Sequence, residues 1–222
     1  MFDRISRSYD FLNHFFSLGT DRIWRAAAIR SLRLRGGAVI LDCSAGTGDM
    51  SLAALGGVRS VRCVLLDPAQ EMLRIAEAKR GAVARTDYRL IRGVAESLPF
   101  ADEAFDHFMV AFGIRNFANL EGGMRELHRT MKTGGRGAIL EFTPDRSRLI
   151  NRVFQWYMQH VMEPVGALIS RDREAYSYLS RTVEGFSTSE QLTDLFQSVG
   201  FRCAENRRLN LGVARLFVLE KL

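Results

Sequence analysis

Short apolar runs alternate with helical patterns from residue 38 to residue 142. Apolar residues recur at helical spacing in residues 49–55, 69–79 and 120–131, and residues 132–135 are expected to close the last of these helices. The strand candidates between them are residues 38–41, 61–66, 88–91, 107–112 and 136–142. Strands that alternate with helices form parallel β-α-β units, so this pattern predicts an α/β fold with an open, doubly wound sheet.

The last third of the chain departs from this alternation. Residues 146–186 are rich in aromatic residues and are expected to form a helical insertion outside the sheet. A helix then runs from Ser189 to Gly200, and two strand candidates follow at residues 202–206 and 213–219. Their connection is too short for a helical crossover, so we expect them to pair antiparallel. The sheet should have about seven strands, with the last one reversed.

Residues 1–36 are expected to be helical, with a break at Gly19. Phe2, Ile5 and Tyr9 recur at helical spacing in the first part of this segment. A chain of 222 residues suits a single domain. We therefore expect one domain over residues 1–222, with an N-terminal helical lid at 1–36 and a helical substrate-pocket insertion at 146–186.

The cysteine count and the hydropathy pattern exclude several classes of protein. The chain has three cysteines, an odd number without a Cys-x-x-Cys pair, so neither a disulfide framework nor a metal site is expected. No secretory signal is visible, and no uncharged apolar run reaches the roughly 18 residues that a membrane span needs. We expect a cytoplasmic protein.

The charge balance predicts an acidic partner. Lys and Arg number 31 against 25 Asp and Glu, which gives a formal net charge of +6. Nucleic acid and an anionic membrane surface both attract such a chain. Only three of the basic residues are lysines, however, and genome composition explains a general preference for arginine equally well.

Residues 40–49 carry the strongest local signal, because a strand runs there through a glycine turn into a helix. The turn places a ligand at the carboxyl ends of the strands. A dinucleotide site favours a third small residue, whereas Gly46 and Gly48 are followed by Ser51. Asp42 and Asp49 would repel a pyrophosphate, so a cationic ligand with an amino-acid end fits better. A glycine turn without any ligand is the alternative.

Asp67 lies 19 residues after Gly48, at the end of the second strand. A carboxylate at this place accepts hydrogen bonds from a ribose diol. The alternative is a helix N-cap before Pro68, and one carboxylate has enough lone pairs for both roles.

Polar and aromatic residues also follow the third and fourth strands. Residues 94–100 can pack on a flat ring and bond its edge, and residues 111–116 crowd a glycine, an arginine and an amide at a strand end. Such crowding is more typical of a site than of a core.

These motifs resemble those of the UbiE/MenG family of quinone C-methyltransferases over nearly the whole chain. The resemblance covers residues 1–25, the glycine turn, Ala95 to Phe100, Glu141 to Phe142, the run from Phe112 to Asn116, and Tyr176 to Leu179. The last two runs are specific to the family. The sequence departs from the family pattern at Asp21, 43–45, Val94, Thr182 and Ser187, which leaves the exact quinone open.

The resemblance implies a Rossmann-like class I methyltransferase. It would use S-adenosylmethionine to methylate a carbon of a reduced, prenylated quinone precursor, such as demethylmenaquinol or its ubiquinone-pathway equivalent. Because such an acceptor resides in a membrane, the expected partner of the basic surface is an anionic membrane rather than nucleic acid. A homodimer is also compatible with the sequence. A methyltransferase acting on another aromatic or secondary metabolite is the rival, followed by a non-catalytic protein that binds a lipid or adenosyl ligand.

Motifs and resemblance together give the candidate residues. The catalytic candidates are Arg115, as the cation near a developing oxyanion, and Asn116, which orients it or a water. The cofactor candidates are Tyr9, Asp42, Gly46, Thr47, Gly48, Asp67, Val94, Ala95 and Ala111. The substrate-pocket candidates are Phe112, Tyr157, His160, Tyr176 and Tyr178.

Several of these candidates have a structural alternative. Arg115 could instead form a salt bridge that holds its loop, and Tyr9 could simply pack within a helix. The apolar residues around Tyr157 fall at helical spacing, which usually marks a core. Of the four histidines only His160 is a candidate for a role in the site, because His107 and His128 lie within regular elements.

Overall fold

The computed structural model describes residues 17, 19–57, 60–79, 81, 88–143, 148–162, 164–165, 182–183 and 185–222. Within them one sheet runs in the order β3-β2-β1-β4-β5-β7-β6. Its strands are β1 Val39–Cys43, β2 Arg62–Asp67, β3 Tyr88–Arg92, β4 Phe105–Ala111, β5 Met131–Glu141, β6 Phe201–Leu209 and β7 Ala214–Lys221.

The sheet is parallel from β3 to β5, and β7 is reversed against both of its neighbours. This confirms the seven-stranded α/β sheet with a reversed last strand. The order in which successive strands are added to the sheet reverses direction at β1, which pairs with β2 on one side and β4 on the other. In such sheets the crevice outside this point, at the carboxyl ends of the strands, binds the ligand.

Helices cover the two faces of the sheet. One core cluster includes residues of α1 (Thr20–Ser31), α2 (Asp49–Gly57) and α3 (Gln70–Lys79). The cluster on the other face includes residues of α4 (Leu120–Thr130) and α6 (Ser189–Ser198). Strand residues alternate between these clusters, as the pleat requires.

Local signals set the ends of several helices. The side chain of Asn119 accepts from the N–H of Gly122 at 2.9 Å and caps α4. Thr188 and Gln191 form a capping box at the start of α6. Gly19 has a φ of +75° immediately before α1, so it marks the break expected there.

Two expected boundaries are wrong. Helix α1 ends at Ser31 rather than near residues 36–37, because Leu32 and Arg33 turn the chain and Arg33 has a φ of +53°. Strand β5 starts at Met131, directly after α4. Residues 132–135 therefore extend the strand instead of closing the helix.

Within residues 146–186, the described residues 148–162, 164–165 and 182–183 are helical and 185–186 form a bend, and the role of this segment as a substrate-pocket insertion stays a prediction. Helix α5 (Arg148–Tyr157) continues into a π-helical turn at Met158–Met162. No helix in the described ranges is long and apolar enough to cross a membrane.

Candidate active site

A cleft opens at the carboxyl edge of the sheet, where the chain order turns. It encloses about 690 Å³, including its solvent-open mouth. The loops that follow β1, β2, β3 and β4 all contribute to its walls. The cleft thus lies where the sequence predicts a ligand.

The two glycines of the turn after β1 serve different purposes. Gly46 has a φ of +55°, and a Cβ atom built on it would meet nothing within 4 Å. It lines the cleft and lets a ligand approach the backbone closely. Gly48 has a φ of +82°, but a Cβ there would lie 2.3 Å from the Tyr88 hydroxyl. Gly48 is therefore required by packing and does not line the cleft.

Asp67 ties the glycine turn to the second strand and faces the cleft. Its Oδ2 accepts from the N–H of Gly46 at 2.8 Å, and its Oδ1 accepts from the N–H of Ala69 at 2.8 Å. The second bond is the cap-like contact that the sequence allows. Each carboxylate oxygen can accept a second hydrogen bond, so a ligand in the cleft can also be held here.

Asp42 lies beneath the turn rather than in the cleft. It is buried, and its Oδ2 accepts from the N–H and the Oγ of Ser51 at 3.1 and 2.7 Å. Burial raises the pKa of Asp42 to about 7, against the opposing bonds from Ser51 and the charge of Arg25. Asp42 therefore supports the start of α2, and contact with a cofactor stays a prediction.

Thr47 also points away from the cleft. Its hydroxyl accepts from the Lys79 Nζ at 2.9 Å, and Lys79 donates to Asp49 at 2.7 Å. This network joins the end of α3 to the beginning of α2. Thr47 and Asp49 thus hold the turn from behind.

The cleft wall on the β3 side is mostly apolar. Val94 and Ala95 line it, and Ala111 lines the cleft at the end of β4, so these three cofactor candidates all border the cleft. Further lining residues that the sequence analysis did not single out are Ser44, Pro68, Met72, Glu96, Phe117 and Ala118. These residues lie close in sequence to cofactor candidates such as Gly46 and Ala95. Because the loops at one edge of a sheet lie side by side, this closeness could have indicated that they line the cleft.

The two catalytic candidates occupy different places. Asn116 lines the cleft. Arg115 is buried and its Nη1 donates to Glu141 Oε1 at 2.6 Å, with exposed side-chain fractions of 5% and 0%. The backbone N–H of Arg115 also donates to Glu141, at 3.3 Å. Arg115 therefore forms the loop-holding ion pair that was its structural alternative, and its catalytic role stays a prediction.

Glu141 was not among the candidate site residues, although Glu141 and Phe142 belong to the runs that resemble the family. It ends β5, and its Oε1 also accepts from the N–H of Phe142 at 2.9 Å. Its position at the end of a predicted strand, directly before an aromatic residue, is the sequence feature that could have indicated a role in the site. The carboxylate joins the loop after β4 to the end of β5.

Aromatic rings form a row on the β4–β5 side of the cleft. Phe112, which lines the cleft, stacks on Phe142 with ring centroids 4.6 Å apart. Trp24 of α1 lies against Phe112 at 6.0 Å, and the Arg115 guanidinium lies 5.7 Å from the Phe142 ring centre. Phe112 is the ring of this row that lines the cleft and offers a flat surface to a ligand, and the rings behind it support that surface.

Two of the remaining pocket candidates, Tyr157 and His160, are among the described residues. Tyr157 is half-buried, and burial raises its pKa, whereas His160 is exposed and stacks on Trp156 at 5.4 Å. Neither lines the cleft. Tyr9, Tyr176 and Tyr178 lie outside the described residues.

The other described histidines and the acidic residues give no metal site. Burial lowers the pKa of His107, whose ring accepts from a backbone N–H, and of His128, which packs on Phe201. Within the described ranges, no group of three or more histidines, cysteines or carboxylates could hold a metal ion.

The mixed sheet, the glycine turn and the carboxylate at the end of β2 define the Rossmann-like class I methyltransferases. A SAM-dependent methyltransferase from Thermotoga maritima matches the fold with a TM-score of 0.68 at 18% identity, covering 100% of this chain and 98% of that one. The [4+2]-cyclase SpnF matches with a TM-score of 0.65 at 18% identity, covering 86% of this chain and 61% of that one. At such identities the likeness shows the fold alone.

The sequence comparisons are more specific. The chain belongs to the ubiE/COQ5 methyltransferase family, whose model matches residues 1–221, and it is therefore a SAM-dependent methyltransferase. Demethylmenaquinone methyltransferase of Porphyromonas gingivalis is 39% identical over 220 residues, with 98% of this chain and 90% of the relative covered. The ubiquinone/menaquinone biosynthesis C-methyltransferase UbiE of Syntrophotalea carbinolica is 38% identical, with 98% and 91% covered.

Proposed function

We propose that this enzyme transfers a methyl group from S-adenosylmethionine to a ring carbon of a reduced, prenylated quinone precursor. Demethylmenaquinol and its ubiquinone-pathway equivalent are the two acceptors that the named relatives suggest. The observation that carries the proposal is the cleft itself, which has a carboxylate on the β2 side and an aromatic wall on the β4–β5 side.

The cleft suits S-adenosylmethionine. Asp67 offers acceptors for ribose hydroxyls, and Pro68, Met72 and Val94 give an apolar surface for a flat base. Gly46 leaves open space at its backbone for close approach. When bound, S-adenosylmethionine supplies an electrophilic methyl group on a sulfonium centre.

The opposite wall suits the acceptor. Phe112 presents a flat apolar surface, and Asn116 presents an amide that can bond a ring oxygen or a water. Holding donor and acceptor in line can lower the barrier by on the order of 7–11 kcal/mol. The ring carbon becomes nucleophilic when the neighbouring phenol gives its proton to water, because arginine cannot act as a base at neutral pH. Bond formation between the ring carbon and the methyl group breaks the sulfonium–methyl bond and releases S-adenosylhomocysteine. The methylated ring carbon then loses its own proton to water, which restores the aromatic ring.

Arg115 contributes to this step by its charge and by holding the loop that carries Phe112 and Asn116. Arg115→Ala leaves Glu141 buried without its cation, which costs about 3–5 kcal/mol in stability. We expect turnover to fall far more than cofactor affinity, with both measured below the melting temperature of the variant. Wild-type turnover would remove Arg115 from the mechanism.

The proposed function is tested by supplying the purified enzyme with methyl-labelled S-adenosylmethionine and chemically reduced, demethylated prenylnaphthoquinone or prenylbenzoquinone. Methylated quinol should form with at least one of them. The oxidised quinone is the control, because its ring carbon is electron-poor and should give no product. Failure with every reduced prenylquinone, together with methylation of another aromatic compound, would overturn the proposal in favour of its rival.

We also propose that the enzyme meets its lipid-soluble acceptor by peripheral contact with an anionic membrane surface through α5. Arg152 is exposed on this helix. A basic residue near an anionic leaflet contributes about 1 kcal/mol to binding.

A further inference from the structure

The turn between β6 and β7 holds a leucine in a place that suits neither its side chain nor its backbone. Leu211 is 82% exposed, more than any other large apolar residue in the described part of the chain. Its φ is +57°, in the left-handed region that glycine and asparagine adopt with less strain. Packing within the chain therefore does not explain a leucine here, and a backbone outlier of this kind points to a function.

The rest of the turn is anchored, so Leu211 is held in a fixed outward position. Asn210 and Gly212 also have positive φ values, +42° and +93°. The N–H of Val213 donates to the carbonyl of Asn210 at 3.1 Å and closes the turn. Leu209 and Val213, two residues before and two residues after Leu211, pack against the core cluster on the α1 face of the sheet.

The turn lies at the same edge of the sheet as the cleft. Strand β7 runs antiparallel to β5, and Arg215 near its start pairs with Glu141 at the end of β5. The carboxyl edge of the sheet therefore carries both the turn and the cleft. The cluster against which Leu209 and Val213 pack also includes Phe112, which lines the cleft. The turn thus lies on the side of the cleft proposed for the acceptor.

Arginines flank this apolar tip. Arg207 and Arg208 are exposed near the end of β6, and Arg207 lies 4.0 Å from the exposed Glu205. An apolar side chain beside basic ones suits an anionic bilayer, because the apolar group enters the boundary between headgroups and acyl chains while the basic groups bind phosphates. A stable protein interface buries about 800 Å² on each partner, far more than such a tip offers.

We propose that Leu211 is a membrane anchor that enters the headgroup boundary of an anionic membrane while Arg207 and Arg208 contact lipid phosphates. The inference rests on the proposed function for its membrane-borne acceptor, and it adds an apolar contact to the basic one of α5. Insertion at this place turns the carboxyl edge of the sheet towards the bilayer. A prenylated acceptor can then enter the cleft directly from the lipid.

Co-sedimentation of the full chain with vesicles of phosphatidylglycerol and phosphatidylcholine tests the anchor. Leu211→Asn removes the apolar group and adopts the left-handed region more readily, so the melting temperature should be equal or higher. We expect the vesicle affinity to fall by about tenfold, because the variant loses the burial of one apolar side chain. The loss should persist at high salt, since salt screens charges and not apolar contacts.

Leu222→Asn is the matched control for the apolar contact. Leu222 is 77% exposed but follows the other end of β7, at the amino edge of the sheet, so its replacement should leave the vesicle affinity unchanged. Arg208→Gln should lower the affinity at low salt, whereas Arg62→Gln, which changes an exposed arginine at the start of β2, should not.

Two results would overturn the proposal. The first is an equal vesicle affinity of Leu211→Asn and Leu222→Asn, or no vesicle binding by the wild type. The second is a changed oligomeric state of Leu211→Asn in analytical ultracentrifugation with unchanged vesicle binding, which would assign the turn to a contact between protein chains.

Kinetics distinguish a failure of the anchor from a failure of the proposed function. For a long-chain prenylnaphthoquinol in vesicles, Leu211→Asn should raise KM several-fold, whereas KM for a short-chain quinol in solution should not change, because Leu211 does not line the cleft. If no reduced prenylquinone is methylated but Leu211→Asn loses vesicle affinity, the quinone function is wrong and the anchor stands. If quinols are methylated and Leu211→Asn binds vesicles like the wild type, the function stands and the anchor is wrong.

Discussion

Asp67 shows how one side chain can shape the cleft and also bind in it. Its two oxygens hold the backbone N–H groups of Gly46 and Ala69, so the turn after β1 and the start of α3 are tied to the end of β2. The same carboxylate lines the cleft. Its loss should therefore affect both the shape of the cleft and its affinity.

We expect Asp67→Ala to weaken binding of S-adenosylmethionine by at least about tenfold, since hydrogen bonds to a charged group are worth roughly 1.5–3 kcal/mol. Titration calorimetry measures the affinity. Asp106→Ala is the matched control, because Asp106 also accepts from a backbone N–H and from Lys132, but at the amino edge of the sheet. Unchanged affinity in Asp67→Ala would remove Asp67 from the cofactor site.

Asp42 makes stability depend on pH. Burial raises its pKa from 3.8 to about 7. Between these two values the folded protein keeps a proton that the unfolded chain has already lost. The unfolded chain thus binds fewer protons, so stability falls as the pH rises through this window and levels off above it.

Asp42→Asn should remove this dependence, because the amide does not titrate and its oxygen can still accept from Ser51. Urea unfolding between about pH 5 and about pH 8 should show a smaller drop in unfolding free energy for the variant than for the wild type. Equal drops in the two proteins would show that Asp42 carries no such proton.

At the scale of elements, helix α4 positions the loop that follows β3. Arg129 donates to the carbonyls of Phe100 and Leu98 at 2.8 and 3.2 Å and to both oxygens of Glu126. Glu126 in turn accepts from the N–H of Leu98 at 2.9 Å, and the bond from Arg129 lowers the pKa of Glu126. A helix behind the sheet thereby fixes the backbone that leads to Ala95 in the cleft.

Arg129→Gln should loosen this loop and weaken cofactor binding several-fold, while the quinol KM changes less. Arg125→Gln is the matched control, because Arg125 pairs with the exposed Glu121 on the same helix and, among the described residues, does not contact the loop after β3. Calorimetry with S-adenosylmethionine compares the two variants. Equal affinities in both would show that the loop holds its shape without Arg129.

The start of strand β5 shows why one element boundary was predicted wrongly from the sequence. Gly134 has a φ of +78°, and a glycine in this left-handed region commonly follows the end of a helix, so residues 132–135 are typical of a helix end. In the sheet these residues form an irregular extension between the pairs Phe105–Met131 and His107–Arg136. The bond from Lys132 to Asp106 at 2.6 Å helps to hold it. Asp106 belongs to another strand, so the sequence around residues 132–135 does not indicate this contact.

At the scale of the whole molecule, the cleft has two chemically different sides, and α5 lies outside the sheet that carries them. The side near β2 and β3 carries the carboxylates of Asp67 and Glu96 in an otherwise apolar wall, whereas the side near β4 presents the rings of Phe112 and Phe117. This division suits a soluble cofactor on one side and a lipid-soluble ring on the other.

The membrane proposal predicts that the enzyme binds anionic vesicles and releases them as salt rises, because salt screens exposed charges. Arg152→Glu should weaken binding in co-sedimentation. Arg74→Glu changes the net charge equally on α3, where Arg74 is exposed and paired with Glu71, and should have a smaller effect. Binding that is absent or independent of salt would leave genome composition as the explanation of the charge.

The sequence by itself determined the α/β sheet, the reversed last strand, the glycine turn and the carboxylate of Asp67. These depend on neighbours along the chain, through apolar periodicity, a left-handed φ at Gly46 and the position of a strand end. Only the tertiary structure decided which residues of the glycine turn line the cleft, such as Gly46, and which point away from it, such as Thr47. It also decided that Arg115 pairs with Glu141, 26 residues away, and that Trp24 lies against Phe112. Such contacts depend on which strands become neighbours in the folded sheet, and no local pattern encodes that.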